Sequence, residues 1–289
     1  MTETRDLALT ALAPAIWGSS YIVTTVFLPG LSPWLVALLR ALPAGLVLLL
    51  LVRQLPPLHL VPKIILLGAL NFSVFWSLMF LAAYRLPGGV AATLGAVQPL
   101  FVLMLSGALL GAQIHGRGIA AALLGMVGVG LLVLGPEAQM DLWGVLGGLG
   151  GALSMAAGVV LTRKWQPGVP ALTFSAWQLT AGGLLLVPVA LVALPEWPAL
   201  TGDNILGLAY LSLIGGALTY ILWFRGITRI APAQISLLGV FSPLTAVILG
   251  VIFAGESFTL VQSFGALLAL FSVWLGQQAP RPAPVAKPA

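Results

Sequence analysis

Cysteine is absent from this chain of 289 residues, and histidine occurs only twice. Without cysteine the sequence offers no disulfide framework, no thiolate metal site and no thiol chemistry. His59 and His115 fall in predicted loops and have no carboxylate at metal-ligand spacing. We therefore expect neither a metal site nor a cofactor.

Charged residues are also scarce: they make up 7% of the chain, whereas hydrophobic residues make up 60%. The mean hydropathy of +1.10 is far from that of a soluble domain. The net charge of +5 could suggest nucleic acid, but the basic residues lie at the ends of apolar spans, where they determine topology. We expect a polytopic membrane protein whose partners are the lipid bilayer and a small-molecule substrate, with no nucleic acid. The oligomeric state stays open, and a monomer fits the sequence.

Motifs of enzymes are also missing. The serines of Gly18-Ser19-Ser20 lack the strand, turn and helix of a hydrolase elbow. The glycine runs at 125–130 and 147–151 lie within apolar helices, where they are typical of packing faces rather than of phosphate-binding loops. The sequence therefore predicts a protein that is not an enzyme.

Long apolar runs dominate what is present. A membrane span needs about 20 apolar residues, because a helix rises about 1.5 Å per residue and the hydrocarbon core is about 30 Å thick. Turn residues, often proline and glycine, separate the runs. The predicted fold is all-α, with ten transmembrane helices at 7–28, 34–52, 64–84, 88–110, 118–135, 142–161, 171–194, 205–224, 231–254 and 259–277.

The basic residues predict an orientation. With the N-terminus in the cytoplasm, ten of the twelve lysines and arginines lie in cytoplasmic loops or tails. Arg85 lies on the opposite side, and Arg40 lies within a span. Both termini should therefore be cytoplasmic.

The two halves of the chain repeat each other at one constant offset, which aligns Pro99 with Pro243 and Gly95 with Gly239. The same offset aligns Arg85 with Arg229, Gly111 with Gly255, and 122–124 with 266–268. If each half has five spans, the second half enters the membrane from the other side. Inverted repeats of this kind are typical of secondary transporters, whose halves rock around a site near the bilayer midplane. We predict repeats at 7–135 and 142–278 and a disordered cytoplasmic tail at 279–289.

The aligned prolines are candidate hinges. A proline within a helix removes the hydrogen bond to the carbonyl four residues earlier, which here belongs to Gly95 or Gly239. Two kinks with unshielded carbonyls would provide two hinge points and two polar groups near the midplane. The alternative is that these glycines and prolines only permit close helix packing.

Arg40 is the charged residue within a span, and no carboxylate lies at a comparable depth in any predicted span. A buried arginine usually faces a water-filled cavity or a partner, and it could bind a substrate carboxylate through two parallel hydrogen bonds. Snorkelling to the headgroups or bonding to helix-end carbonyls is the competing interpretation. Gln178 is its counterpart in the second half.

Other polar and aromatic residues lie well within the spans, where an indole N–H or a phenol O–H needs a partner. A largely apolar cavity with a few polar groups would suit an amphipathic or aromatic solute, although helix packing explains any single member. The remaining candidates for substrate binding are Trp17, Ser20, Tyr21, Asn71, Trp76, Gln98, Trp177 and Tyr220.

These features together resemble the drug/metabolite transporter superfamily, in its ten-helix branch built from two EamA-type repeats. The resemblance covers residues 7–278. It rests on the segment 15–21 (Ala-Ile-Trp-Gly-Ser-Ser-Tyr), Arg40, Pro99, Pro243 and the pair Gly255-Glu256. Within the branch the chain looks most like the YddG type of bacterial inner-membrane amino-acid exporter. One departure is Gly111-Ala112-Gln113, where the family commonly has Gly-Glu, so a role for that acid can apply only to Glu256.

The resemblance implies export of small amphipathic metabolites, with aromatic and other neutral amino acids as the best candidates, by alternating access around a central cavity in the bacterial inner membrane. A multidrug or other metabolite exporter of the same superfamily is the alternative, and a cation exporter would want an intramembrane acid. A scaffold or receptor subunit without transport is the alternative of another class. The sequence leaves energy coupling open, with facilitated diffusion as the default.

Overall fold

A computed structural model describes residues 2–85, 94–133, 141–194, 197–254 and 259–278. Within those ranges it contains helices and no strand. We number the helices in chain order and keep one number where a π-helical or 3-10 segment continues a helix. They are α1 (Thr2–Phe27), α2 (Pro33–Val52), α3 (Val61–Gly68, Ala69–Ser73 and Val74–Arg85), α4 (Gln98–Leu110), α5 (Gly116–Val133), α6 (Leu142–Lys164), α7 (Ala171–Ala193), α8 (Gly202–Arg229), α9 (Pro232–Leu237, Leu238–Val240 and Phe241–Ala254) and α10 (Leu260–Gln277).

Eight helices of the described residues are long and apolar enough to cross a membrane, namely α1, α2, α3 and α6 to α10. The helices α4 and α5 are apolar but shorter. The prediction of an all-helical polytopic membrane protein is confirmed, whereas the number of ten spans stays a prediction. Parts of the predicted fourth and fifth spans, the pair Gly255-Glu256 and the 279–289 tail lie outside the described residues.

The helices pack in a pattern of pairs: α2 against α7, α5 against α10, α1 against both α8 and α9, and α6 against both α3 and α4. Small residues allow the close approach that these pairs need. A Cβ at Gly45 of α2 would lie 2.5 Å from the backbone nitrogen of Thr180 in α7. A Cβ at Gly128 of α5 would lie 2.6 Å from the backbone nitrogen of Ala269 in α10. The glycines of these helices therefore serve as contact faces between helices.

Two helices are interrupted by π-helical segments, Ala69–Ser73 in α3 and Tyr210–Leu218 in α8. The offset that aligns Pro99 with Pro243 brings these two segments into the same register. A π-helical turn changes the backbone hydrogen bonding and frequently marks a functional site. Within a membrane each backbone group still needs a partner, and the Ser154 hydroxyl of α6 supplies one by donating to the Leu70 carbonyl at 2.9 Å.

The aligned prolines stand at the beginnings of helical segments rather than in the interior where the sequence places them. Pro99 is the second residue of α4, after the turn at 96–97, and Pro243 is the third residue of Phe241–Ala254, after the 3-10 segment. Proline is tolerated there because the first N–H groups of a helix have no partner within it. A Cβ added at Gly95 or Gly239 would meet no atom within 4 Å. The hinge role itself stays a prediction.

Candidate functional site

Tyr220 of α8 is the centre of a buried group of rings. Its ring centroid lies 4.7 Å from that of Phe72 and 5.1 Å from that of Trp17. Trp76 and Phe224 follow at 6.4 and 5.9 Å. These geometries are tilted or edge-on, as expected for rings that attract each other through their quadrupoles. We call the set the aromatic cluster; its members are Trp17, Phe72, Trp76, Tyr220, Trp223 and Phe224.

Arg40 of α2 borders this cluster. Its guanidinium carbon lies 5.3 Å from the ring centroid of Trp76, within the range of a cation–π interaction. Its Nη2 donates to the backbone carbonyl of Gly215 in α8 at 3.0 Å. A charge within a span costs about 2.5 kcal/mol or more, and these two contacts offset part of that cost. The positive charge is therefore held beside aromatic rings inside the helical bundle.

The Gly215 carbonyl is the point where the groups around Arg40 meet. It accepts hydrogen bonds from Arg40 Nη2, from Trp17 Nε1 at 3.2 Å and from Thr219 Oγ1 at 2.8 Å. Trp17 Nε1 also donates to Thr219 Oγ1 at 2.8 Å. Because Gly215 belongs to the π-helical segment of α8, its carbonyl can serve donors from α1 and α2. The irregular backbone of α8 thus positions both an indole and a guanidinium.

A second polar group connects α3, α6 and α7 and is fully buried. Asn71 Nδ2 donates to Gln178 Oε1 at 2.9 Å and to Thr162 Oγ1 at 3.2 Å. Thr162 Oγ1 in turn donates to Gln178 Oε1 at 3.2 Å. Gly158 makes room for this arrangement, because a Cβ there would collide with the Asn71 amide. We call Asn71, Thr162 and Gln178 the amide cluster, and its burial suits it to joining helices.

The two groups correspond to each other. The offset that aligns the two halves places Asn71 at the position of Gly215 and Trp76 at the position of Tyr220. Arg40 reaches the π-helical segment of α8, and its sequence counterpart Gln178 reaches the π-helical segment of α3. Arg40 of α2 and Gln178 of α7 therefore each contact the interrupted helix of the other half.

Among the described residues, the ring contacts of the aromatic cluster include no further predicted residue. Trp177 packs with Ile64, Leu67 and Phe174, and its indole donates to the Gln54 carbonyl at 2.6 Å. The buried hydroxyl of Ser20 has no hydrogen-bond partner among the described residues. Gln98 is the first residue of α4 and is partly buried. The side chain of Tyr21 lies outside the described part of the structure.

Sequence reasoning missed Gly215, Thr162 and Phe72. The repeat offset could have found Gly215, because it aligns that glycine with the candidate Asn71. Phe72 stands four residues before Trp76, a spacing that places both on one helix face. Within the described ranges, no group of three or more His, Cys, Asp or Glu side chains could hold a metal ion.

Residues 6–134 and 142–276 match the EamA-like transporter family. The chain belongs to this family, and the protein is a multi-pass membrane transporter. Protein PecM of Dickeya dadantii is similar to this chain, 43% identical over 88% of it and 86% of that protein. The inner membrane transporter YedA of Escherichia coli K12 is 29% identical over 90% of this chain and 86% of its own length.

A further relative from Escherichia coli K12 is named a probable amino-acid metabolite efflux pump, and it is 24% identical over 94% of both chains. A solved crystal structure superposes with a TM-score of 0.82, covering 95% of this chain and 98% of that chain, at 17% identity. That likeness shows the fold alone.

Proposed function

We propose that the protein exports small amphipathic metabolites by alternating access, with aromatic and other neutral amino acids as the best candidates. The observation that carries this proposal is the guanidinium of Arg40 held against the aromatic cluster between α1, α2, α3 and α8. A cation beside aromatic rings matches a solute with a carboxylate at one end and an apolar body at the other. The similarity to a probable amino-acid metabolite efflux pump of Escherichia coli K12 supports the same class.

The substrate carboxylate would bind Arg40 in place of the Gly215 carbonyl. A carboxylate accepts two parallel N–H bonds from one guanidinium and adds the attraction between opposite charges. The Gly215 carbonyl is a neutral acceptor, which Nη2 reaches at 3.0 Å. The exchange would therefore favour solutes with a carboxylate and would leave the aromatic cluster to contact their side chains.

The proposal includes an architecture of ten spans in two inverted repeats, 7–135 and 142–278, in a bacterial inner membrane with both termini in the cytoplasm. Its support is the pattern of helix pairs. Exchanging the two halves turns the contacts of α1 with α8 and α9 into those of α6 with α3 and α4. The same exchange leaves the pairs α2 with α7 and α5 with α10 unchanged. Such a pattern fits two copies of one five-helix unit around a shared axis.

Flux from proteoliposomes tests the function. Liposomes loaded with labelled phenylalanine, leucine, phenethylamine or a cationic dye would be compared with and without a pH gradient, using protein-free liposomes as the control. We expect saturable flux of the amino acids that does not need the pH gradient. Flux of the amine or the dye alone would favour a multidrug exporter. Absence of flux for the whole panel would contradict the proposed substrate class.

A further inference from the structure

Two ion pairs occupy corresponding places at opposite ends of the bundle. Asp6, near the beginning of α1, contacts Arg229 at the end of α8 at 3.4 Å and also pairs with Arg225. Asp141, which caps the beginning of α6, lies 3.6 Å from Arg85 at the end of α3. The repeat offset aligns Arg85 with Arg229. Each pair therefore joins the first helix of one repeat to the third helix of the other.

This correspondence gives Arg85 a reason to lie on the side opposite to the other basic residues. In the proposed topology Arg229 meets its aspartate at the cytoplasmic face, and Arg85 meets its aspartate at the outer face. Exposed ion pairs contribute little by themselves, and both side chains of the Arg85 pair are well exposed. Their shared geometry matters here because the same two helix pairs are also joined along their length.

Between its ends, α1 is bonded to α8 at several depths. Asn204 Nδ2 donates to the Phe27 carbonyl at 2.8 Å near the outer end. Ser19 Oγ and Tyr210 Oη lie 2.7 Å apart, and Trp17 bonds to Thr219 further inward. These bonds and the Asp6 ion pair are distributed along the whole length of α1.

The pair α3 and α6 is joined in the same way. The Leu70 carbonyl accepts from Ser154, and Asn71 donates to Thr162. Gly147 and Gly151 bring the backbones together, since a Cβ at Gly151 would lie 3.6 Å from the Cβ of Leu78. The Asp141 pair then closes the outer end of these helices.

We infer that α1 with α8, and α3 with α6, form two units that each move as one body, and that transport is motion between these hybrid units rather than of one repeat against the other. The inference rests on the proposed inverted repeats and alternating access. A contact between the units is the bond from Arg163 Nη1 of α6 to the Ile227 carbonyl of α8 at 2.9 Å. That contact joins the two units near their predicted cytoplasmic ends and must open when the solute is taken up.

Cross-linking distinguishes motion between the hybrid units from motion of one repeat against the other. Because the chain has no native cysteine, only the introduced cysteines react. A Thr10→Cys/Gly226→Cys variant links α1 to α8: a Cβ at Gly226 would lie 3.0 Å from the Cβ of Thr10, so a small shift of the helices brings the pair to the separation of a disulfide. A Leu78→Cys/Gly151→Cys variant links α3 to α6 at a separation suited to a disulfide. An Arg163→Cys/Thr228→Cys variant, bridged by a short reducible bifunctional thiol reagent, links the two units, because Thr228 follows the carbonyl that Arg163 contacts and is partly exposed. Flux is measured in each variant before bridging, after bridging and after reduction.

We expect the first two cross-links to leave flux within about twofold of the reduced protein, and the third to lower it by about tenfold or more with recovery on reduction. Inhibition by the α1–α8 and α3–α6 cross-links would overturn the inference, because those links also join one repeat to the other. Single-cysteine variants treated in the same way control for the substitutions.

A second measurement does not need the substrate. The fraction of each reduced double-cysteine variant that is bridged after a short exposure to oxidant or reagent reports how much of the protein holds that contact. We expect almost complete bridging for 10 with 226 and for 78 with 151, and a clearly lower bridged fraction for 163 with 228. A low bridged fraction for the first two pairs would contradict the inference even if the solute panel shows no flux. Flux failure with the expected bridged fractions would instead count against the proposed substrate class alone.

Discussion

The rings of Trp76 and Tyr220 lie 6.4 Å apart between centroids, and the two residues are related by the same sequence offset that aligns Pro99 with Pro243. In the proposed arrangement of two inverted repeats, equivalent residues can meet only near the axis that relates the repeats. Their contact would then mark where this axis passes through the bundle. A solute that both halves must release would bind near such an axis.

Arg40→Gln should weaken an amino acid far more than its decarboxylated amine. The amino acid loses a charge-assisted bond of about 1.5–3 kcal/mol, whereas the amine never makes it. Competition by phenylalanine and phenethylamine against labelled substrate measures both losses. Arg40→Lys is the matched control that keeps the charge but not the bidentate geometry. Equal losses for both compounds would leave Arg40 with a structural role only.

Trp17→Ala and Tyr220→Ala should discriminate by side chain. Ring contacts add about 0.5–1.5 kcal/mol beyond burial, so aromatic substrates should lose several-fold more affinity than leucine. The measurement is the ratio of half-saturating concentrations for phenylalanine and leucine. Trp274→Ala serves as the control, because that ring is exposed on α10 and lies outside the aromatic cluster. An unchanged ratio in both site variants would remove the rings from substrate recognition.

Thr219→Val should impair transport, whereas Thr219→Ser should restore it. Valine removes the hydroxyl that accepts from Trp17 and donates to Gly215, and a buried indole N–H left with a poorer partner costs about 1–3 kcal/mol. Serine keeps both bonds. Flux per folded protein and the half-saturating concentration, measured separately, distinguish positioning from folding. Normal flux with valine would show that the carbonyl alone holds the indole.

Pro99→Ala and Pro243→Ala should slow transport more than they reduce folded protein. Alanine gains an N–H and fits the first turn of a helix, so the fold should tolerate it, while the break that proline imposes becomes easier to close. Flux is normalised to the protein recovered after size-exclusion chromatography. Wild-type rates in both variants would leave the prolines as packing residues.

A single cysteine at Asp203 should react with a membrane-impermeant maleimide from outside the cell. Asp203 is exposed in the first turn of α8, and the distribution of basic residues predicts that this turn lies on the outer side. Gln166→Cys, in the loop between α6 and α7, is the control for the opposite side. Labelling of position 203 only from the cytoplasmic side would contradict the topology and the inversion.

Sequence alone predicted most of the fold because apolar length and turn residues fix where helices begin and end. It also grouped Trp17, Arg40, Trp76 and Tyr220 as candidates, and the structure brings these four together. It could not separate Trp177 from them, because depth within a span does not tell which helix face a ring occupies. The sequence also could not predict that Arg40 bonds to the Gly215 carbonyl, because every residue has a backbone carbonyl and the sequence does not show which one is accessible.

The π-helical segment of α8 determines which sequence changes the Arg40 site tolerates. The acceptor at position 215 is a main-chain oxygen, and a Cβ added there would lie 3.6 Å from Arg40 Nη2, an ordinary contact distance. Alanine at 215 should therefore preserve the bond, whereas deletion of one residue from 210–218 would let the segment return to α-helical hydrogen bonding, in which each carbonyl is bonded to the N–H four residues later. Arg40 and Trp17 would then lose the acceptor that they share. In this transporter the length of a helix segment is under stronger constraint than the identity of the residue that holds the arginine.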